Sequence, residues 1–210
     1  MRADPNDSDV LSRARFGDDR AFLALYRAAQ PGLLRYLTVL VGDAAESIAE
    51  LTWADVGRQL PDFDGTLEDF RGWVAVIGRG HALQHRAAVP QHPPVIAADG
   101  PTPPRTARAL QVIAGLPREE AEAVALQSVM GLDEGGAATV LGVRRGAVRR
   151  AALRGLRALA RRSEGTDRPR EASPSAMVHT LRIPVDSAAE RSNSRARVDL
   201  EAGQGIEVSR

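Results

Sequence analysis

Residues 133–162 read DEGGAATVLGVRRGAVRRAALRGLRALARR, and the way this stretch partitions decides the fold. Asp133 is suited to cap a short helix ending at Leu141, Gly142 supplies a tight turn, and a second helix follows at once. From Arg144 to Arg162, eight of nineteen residues are arginine. Val148, Ala152, Gly155, Leu156 and Leu159 share one stripe at helical period, while Arg150, Arg154, Arg157 and Arg161 share the opposite one. One face packs and the other stays charged, which is the layout of a helix-turn-helix inside a tri-helical unit running from Leu116 to Arg162. In that motif the second helix enters the major groove of DNA.

A basic run near a helix C-terminus is often only a solvated face that complements the helix dipole. Here Arg144, Arg145, Arg149 and Arg150 sit at the N-terminal end, where the dipole disfavours positive charge. A polyanionic partner accounts for that placement better than solvation does. These four and Arg154 are therefore the candidate duplex contacts, one or two reading guanine edges and the rest gripping phosphate. Arg157, Arg161 and Arg162 read as solvated or phosphate-proximal.

The rest of the chain sets bounds. At 210 residues there is room for one large domain or two small ones, and with aromatics at 4% any core must be aliphatic. No cysteine is present, so a disulfide framework and a thiolate metal site are both excluded. No apolar run approaches the roughly twenty residues of a membrane span, and Met1 to Asp9 is polar and acidic rather than signal-like. The expectation is a soluble, cytoplasmic, nucleoid-associated protein without membrane insertion. The net charge of +1 hides a segregation. Ser8 to Ala88 carries nine arginines against eleven acids, a net of −2, whereas Leu110 to Arg162 carries nine against five, a net of +4. The positive field belongs to the C-terminal unit.

Organisation follows from pattern. Phe22, Leu25 and Tyr26 repeat at helical spacing after Asp18-Asp19, and Pro31 is placed to open a next helix through Leu33, Leu34, Leu37 and Leu40. Gly42-Asp43 breaks it. A third helix from about Ala44 to Leu60 turns Ala45, Ile48, Thr52 and Val56 inward, Pro61 to Asp69 is a loop, and a fourth helix from about Leu67 to Arg86 buries Phe70, Trp73, Val74 and Ile77. The expected fold class is all-α: a four-helix domain over 8–88, a linker over 89–109 with prolines at 90, 93, 94, 101, 103 and 104, a helix-turn-helix domain over 110–162, and a mostly disordered tail over 163–210.

In order along residues 8 to 162, the chain resembles the bacterial RNA polymerase sigma factors of the extracytoplasmic-function type. Ala14-Arg15-Phe16-Gly17-Asp18-Asp19-Arg20-Ala21-Phe22 is similar to the family's opening, and Leu33-Leu34-Arg35-Tyr36 with Val41-Gly42-Asp43-Ala44 continues it. Leu60-Pro61-Asp62-Phe63-Asp64-Gly65 and Phe70-Arg71-Gly72-Trp73-Val74-Ala75-Val76-Ile77 resemble the segment leading into the promoter-melting helix. Gly115-Leu116-Pro117, Gly131-Leu132-Asp133, Val140-Leu141-Gly142-Val143 and Gly146-Ala147-Val148-Arg149 resemble the family's fourth conserved region. The resemblance implies core RNA polymerase and promoter DNA as partners, with an anti-sigma factor as a family-level expectation. It implies that the second unit reads the minus-35 element and that the first reads and melts the minus-10 element. Extruding bases costs unstacking, which pockets and cationic contacts to single-strand phosphate offset.

The resemblance assigns Phe63, Trp73, Arg79 and Arg86 to the minus-10 strand, and Glu46, Glu50, Trp53 and Asp55 to core polymerase. Trp73 also reads as a core aromatic at helical spacing. The first unit departs from its relatives: Asp62 and Asp64 flank the loop phenylalanine where arginines are usual, Ala87 and Ala88 stand where a basic run is usual, and Ser47 and Leu51 replace common acids. In the second unit Gly135 and Gly136 lie inside a helix at a cost of about 1 kcal/mol each relative to alanine, and Leu153 sits on the groove side where a polar residue is common. His81 and His85 have metal-ligand spacing but no local carboxylate, so no metal, no cofactor and no enzymatic site is expected. The leading reading is a promoter-specific sigma factor. Its rival is a diverged sigma-like regulator that binds polymerase or DNA without opening promoters, and a stand-alone repressor leaves the ordered first-unit resemblance unexplained.

Overall fold

The computed structural model describes residues 5–88, 96 and 103–166. The proline-rich linker is covered there only by Ile96 and by residues from 103 onward, and the tail expected to be disordered lies, from 167, outside the described residues. The described elements are helical: α1 (Pro5–Arg15), α2 (Asp19–Val41), α3 (Ala45–Gln59), α4 (Leu67–Ala88), α5 (Pro104–Ala114), α6 (Arg118–Val124), α7 (Glu134–Leu141) and α8 (Arg145–Thr166). The all-α expectation holds for them.

The helix assignment of the first group is corrected in two places. The N-terminal residues form α1, a helix outside those placed by the sequence pattern, and it packs on α2. Pro31 does not open a helix; it lies inside the continuous α2. Leu25, Ala29, Leu33, Tyr36, Leu37 and Leu40 form one buried stripe that runs past the proline. Pro31 and Arg27, whose carbonyl loses its helical donor, are both exposed, so water can take the vacated position. Burial of the stripe outweighs the remaining strain. α2 starts at Asp18, whose carboxylate accepts from the backbone N–H groups of Arg20 and Ala21, and it ends at Gly42 with φ of 62°. α3 turns Ala45, Ile48, Thr52 and Val56 inward, as their spacing predicts.

The helix interior is tight where α2, α3 and α4 meet. A Cβ on Gly78 of α4 would stand 3.0 Å from a Leu33 methyl and 3.3 Å from the Thr52 hydroxyl. Phe63 folds back onto α4, with its ring 4.7 Å from Trp73 and 5.9 Å from Phe70. Gly65 permits this, because a Cβ there would come within 2.7 Å of the Phe63 ring.

In the second group α5 opens at Pro104, inside the stretch read as linker, because proline is well suited to the first helical turn. α6 continues into a wider turn over Ala125–Val129, closed by the Met130 N–H on the Ala125 carbonyl at 3.0 Å. α2 packs against α5 and α6, and α4 packs against α7. The buried apolar residues accordingly run without a break from the first group into the second, where the sequence division suggested two separate small cores.

Candidate nucleic-acid interface

The helix-turn-helix is built by local chemistry. The Asp133 carboxylate accepts from Gly136 N–H at 2.6 Å and starts α7. Gly142 ends it in the left-handed region at φ of 67°. There the Val143 N–H returns to the Ala138 carbonyl at 3.1 Å and the Gly142 N–H to Thr139 at 3.3 Å, so the last carbonyls of α7 are satisfied. α8 then begins, its first bonds running from Ala147 and Val148 back to the Arg144 carbonyl.

α8 is seated by a close crossing with α6. A Cβ on Gly155 would meet a Val124 methyl at 2.7 Å, so only glycine admits this approach. Val148, Ala151, Ala152 and Gly155 face inward. Leu156, placed on the packing stripe from sequence, is 47% exposed; α6 ends the close contact at Gly155, and Leu156 points past it. Leu153 is equally exposed among the arginines.

Arg144, Arg145, Arg149, Arg150 and Arg154 are all exposed. Their partners differ. Arg149 is held side-on by Glu134, Nε to Oε1 at 2.8 Å and Nη2 to Oε2 at 2.8 Å. This pair holds the Glu134 carboxyl below the usual carboxylate range and raises the Arg149 guanidinium further. Arg154 donates from Nε to Glu120 at 3.0 Å. Among the described residues no carboxylate stands within ion-pair distance of Arg144, Arg145 or Arg150. The Arg145 guanidinium lies over Gly135, where a Cβ would meet it at 2.9 Å. Gly135 thus makes room for an arginine across α7, and Gly136 makes room for the Asp133 cap, its Cβ position standing 3.2 Å from that carboxylate. Arg162 is not merely solvated: it donates to the carbonyls of Val112 and Gly115 and closes the C-terminus of α5.

In the first group Phe63 is buried and Trp73 half-buried. Trp73 lines a cleft of about 500 Å³ together with Phe63, Leu132, Asp133, Gly135 and Arg145, so two residues of the minus-10 candidate set and one of the minus-35 set border the same cleft. Arg79 donates from Nε to Glu122 at 2.6 Å, and Arg118 donates to the other oxygen at 2.8 Å. Arg86 donates to the Leu40 carbonyl at 2.8 Å. Asp62 and Asp64 are exposed.

α3 presents Glu46, Glu50 and Leu51 outward. Trp53 is buried beneath them, its indole N–H on the Gln30 side chain at 2.6 Å and its ring against Tyr26 and Phe22. Asp55 is bound by Arg58 and lies 2.9 Å from the His81 ring nitrogen; the Arg58 hydrogen bond, then that of His81, hold its carboxyl below the usual range. Among the described residues no group of three or more His, Asp and Glu is placed to hold a metal ion.

Glu120, Glu122 and Glu134 are partners that sequence reading missed. Glu134 is fifteen residues from Arg149, and only the Gly142 turn, once known, brings the two together.

In its all-α fold the described part of the chain is similar to the extracytoplasmic-function sigma factors. The solved structure of CnrH, one of these, in complex with the cytosolic domain of CnrY matches with a TM-score of 0.60 at 21% identity, covering 76% of this chain and 97% of that chain. A second match, to the RsbN–BldN complex, has 26% identity over 72% of this chain and 97% of that one; its TM-score of 0.34 is too low to bear on the fold. No protein-family profile matches the sequence, and neither does any curated protein sequence.

Proposed function

We propose that the chain is a sigma factor that directs core RNA polymerase to particular promoters, α8 reading the minus-35 element in the major groove. The observation that carries this reading is the exposed arginine face at the start of α8, where Arg144 and Arg150 have no acidic partner among the described residues and Arg145 feels the Glu134 charge without pairing to it. Cationic side chains at a helix N-terminus work against the dipole unless phosphate faces them. In the same reading the α3 face of Glu46, Glu50 and Leu51 meets polymerase, with Trp53 and Asp55 bracing it from below and beside. Trp73, at the mouth of its cleft, is the member of the minus-10 set best placed to stack on an unpaired base. A protein inhibitor of the anti-sigma class is a further proposed partner, since CnrH is seen bound to the cytosolic domain of CnrY. No described helix is long and apolar enough to cross a membrane, in keeping with a cytoplasmic, nucleoid-associated regulator that does no covalent chemistry.

The test is transcription from a genomic promoter library by purified chain plus core polymerase. Promoter-dependent transcripts are expected, and none across the library would overturn the reading.

A second reading, that of a regulator which binds without melting DNA, is favoured by one observation. Arg79 and Arg86 are engaged within the protein, and the loop that leads into α4 exposes Asp62 and Asp64. Permanganate reactivity of thymines near minus-10 separates the two: it appears if promoters open and stays at background if they do not.

A further inference from the structure

The five exposed arginines of the helix-turn-helix are not equivalent. A guanidinium carries five N–H donors in a planar fork. The side-on pair with Glu134 uses the Nε–H and one Nη2–H of Arg149. Both hydrogens on Nη1 and the outer one on Nη2 are left, and among the described residues nothing takes them. Those remaining donors form the end-on fork that matches the N7 and O6 acceptors of guanine in the major groove. Arg149 also stands in the second turn of α8, near the end that enters the groove in this motif. Its side chain is 65% exposed while that of Glu134 is 34% exposed, so the open side of the fork faces outward.

Arg154 donates from Nε to Glu120 and holds Nη2 3.9 Å from Glu119, so two separate carboxylates share it in place of one side-on pair, and it lies a further turn along. Among the described residues Arg144 and Arg150 have no carboxylate to fix a plane. An unfixed guanidinium can grip phosphate from many rotamers, whereas reading a base edge requires one plane and one position. Fixing that plane in advance removes an ordering cost from binding.

We propose that Arg149 is the guanine-reading side chain of α8 and that Glu134 is its positioning residue, with Arg144 and Arg150 acting as phosphate grips. The inference rests on the reading of α8 as a duplex reader and adds which base it selects and through which residue.

The experiment is selection of bound duplexes from a randomised library by the full-length chain, with and without core RNA polymerase, repeated for four variants. Folding of each variant is checked by thermal melting. The wild-type chain is expected to enrich sites with a guanine at one position. Arg149→Lys keeps the charge and loses the fork, so it should flatten the preference at that position about ten- to a hundredfold while the salt dependence of binding stays unchanged. Glu134→Ala should weaken the preference at the same position and at no other, and Glu134→Gln, which keeps one acceptor, should lie between. Arg150→Ala should weaken all sequences alike and lower the salt slope by about one. Retention of the guanine preference in Arg149→Lys, or equal weakening of all positions in Glu134→Ala, would overturn the inference while leaving DNA reading by α8 intact. No enrichment at all by the wild-type chain would overturn the duplex-reading function and the inference with it.

Discussion

At the residue scale, the buried polar groups show how the interior was settled. Tyr36 is fully buried, and among the described residues its hydroxyl completes no hydrogen bond, although the Arg79 side chain lies near enough to act on it. Burial pushes its ionisation far up, with the nearby Glu122 charge adding to the effect. An unpaired buried hydroxyl costs about 1–3 kcal/mol, so Tyr36→Phe, which keeps the ring and removes the orphan, is expected to leave stability unchanged or raise it by up to about 1 kcal/mol. Urea denaturation measures this, and a loss above 1 kcal/mol would reveal a partner for the hydroxyl, such as Arg79. The arginines of α8 were legible one by one, because periodicity puts them on a face. What each one touches was not, since Glu134 and Glu120 reach Arg149 and Arg154 from other helices. Gly135 shows the same limit: read alone it is a helix-weakening residue, and in place it is the gap over which Arg145 lies.

Elements were legible where a local chemical signal sets them. Asp133, Gly142 and the arginine stripe define α7 and α8 from sequence alone. α4 has a comparable start: Thr66 Oγ1 accepts from the Asp69 N–H at 3.2 Å, and the Asp69 carboxylate accepts from the Thr66 N–H at 2.9 Å and hydroxyl at 2.7 Å, a reciprocal cap of the capping-box kind. Thr66→Ala should cost about 1 kcal/mol. The Thr66 backbone hydrogen bond, then its hydroxyl, hold the Asp69 carboxyl below the usual range. A carboxyl lowered on folding contributes fully above its ordinary pKa and loses that contribution as pH falls through the lowered value. The penalty of Thr66→Ala should therefore be constant from neutral pH to about 5 and shrink below about 4; a penalty independent of pH down to 2 would show that Asp69 takes no part.

The α6–α8 crossing is a second element-scale device. Gly155→Val forces a branched side chain against Val124, and overpacking of this kind costs about 1–3 kcal/mol. The expected result is a lowered melting temperature together with weaker duplex binding, because α8 loses its seat; unchanged melting would mean that α8 can shift without loss. Pro31 misled for a related reason. Its local signal for a helix start is overridden by a buried stripe that runs straight through it.

The whole molecule holds a contact that no sequence pattern foretold. Glu122, 3% exposed, accepts from Arg79 of α4 and from Arg118 of its own helix, so an ion pair joins the first group of helices to the second. Close by, Gly32 of α2 lets Met130 approach: a Cβ there would stand 3.3 Å from the Met130 sulfur. Phe63 and Trp73 share their cleft of about 500 Å³ with Arg145, a space far smaller than a duplex. Under the proposed function, engaging both promoter elements then requires the two groups to part, and the Arg79–Glu122 pair resists this. Breaking a buried pair by removing one partner commonly costs about 3–5 kcal/mol; with Arg79 still 23% exposed and able to recruit water, Glu122→Ala should cost about 2–3 kcal/mol, and much of that cost should fall on the seam. The chain has no cysteine, so dyes can be placed by Ala54→Cys on α3 and Arg157→Cys on α8, both exposed positions. In the parent the distance between them should be short and narrowly distributed, and Glu122→Ala should broaden and lengthen it, with Glu122→Gln intermediate because one acceptor remains. Adding a promoter duplex and core polymerase should lengthen the distance in the parent too, and at lower DNA concentration in Glu122→Ala, since the seam no longer opposes separation. An unchanged distance in Glu122→Ala would mean that the apolar packing of α4 on α7 and of α2 on α5 holds the groups together unaided, and Arg79 would then be free to turn toward DNA without any opening of the molecule.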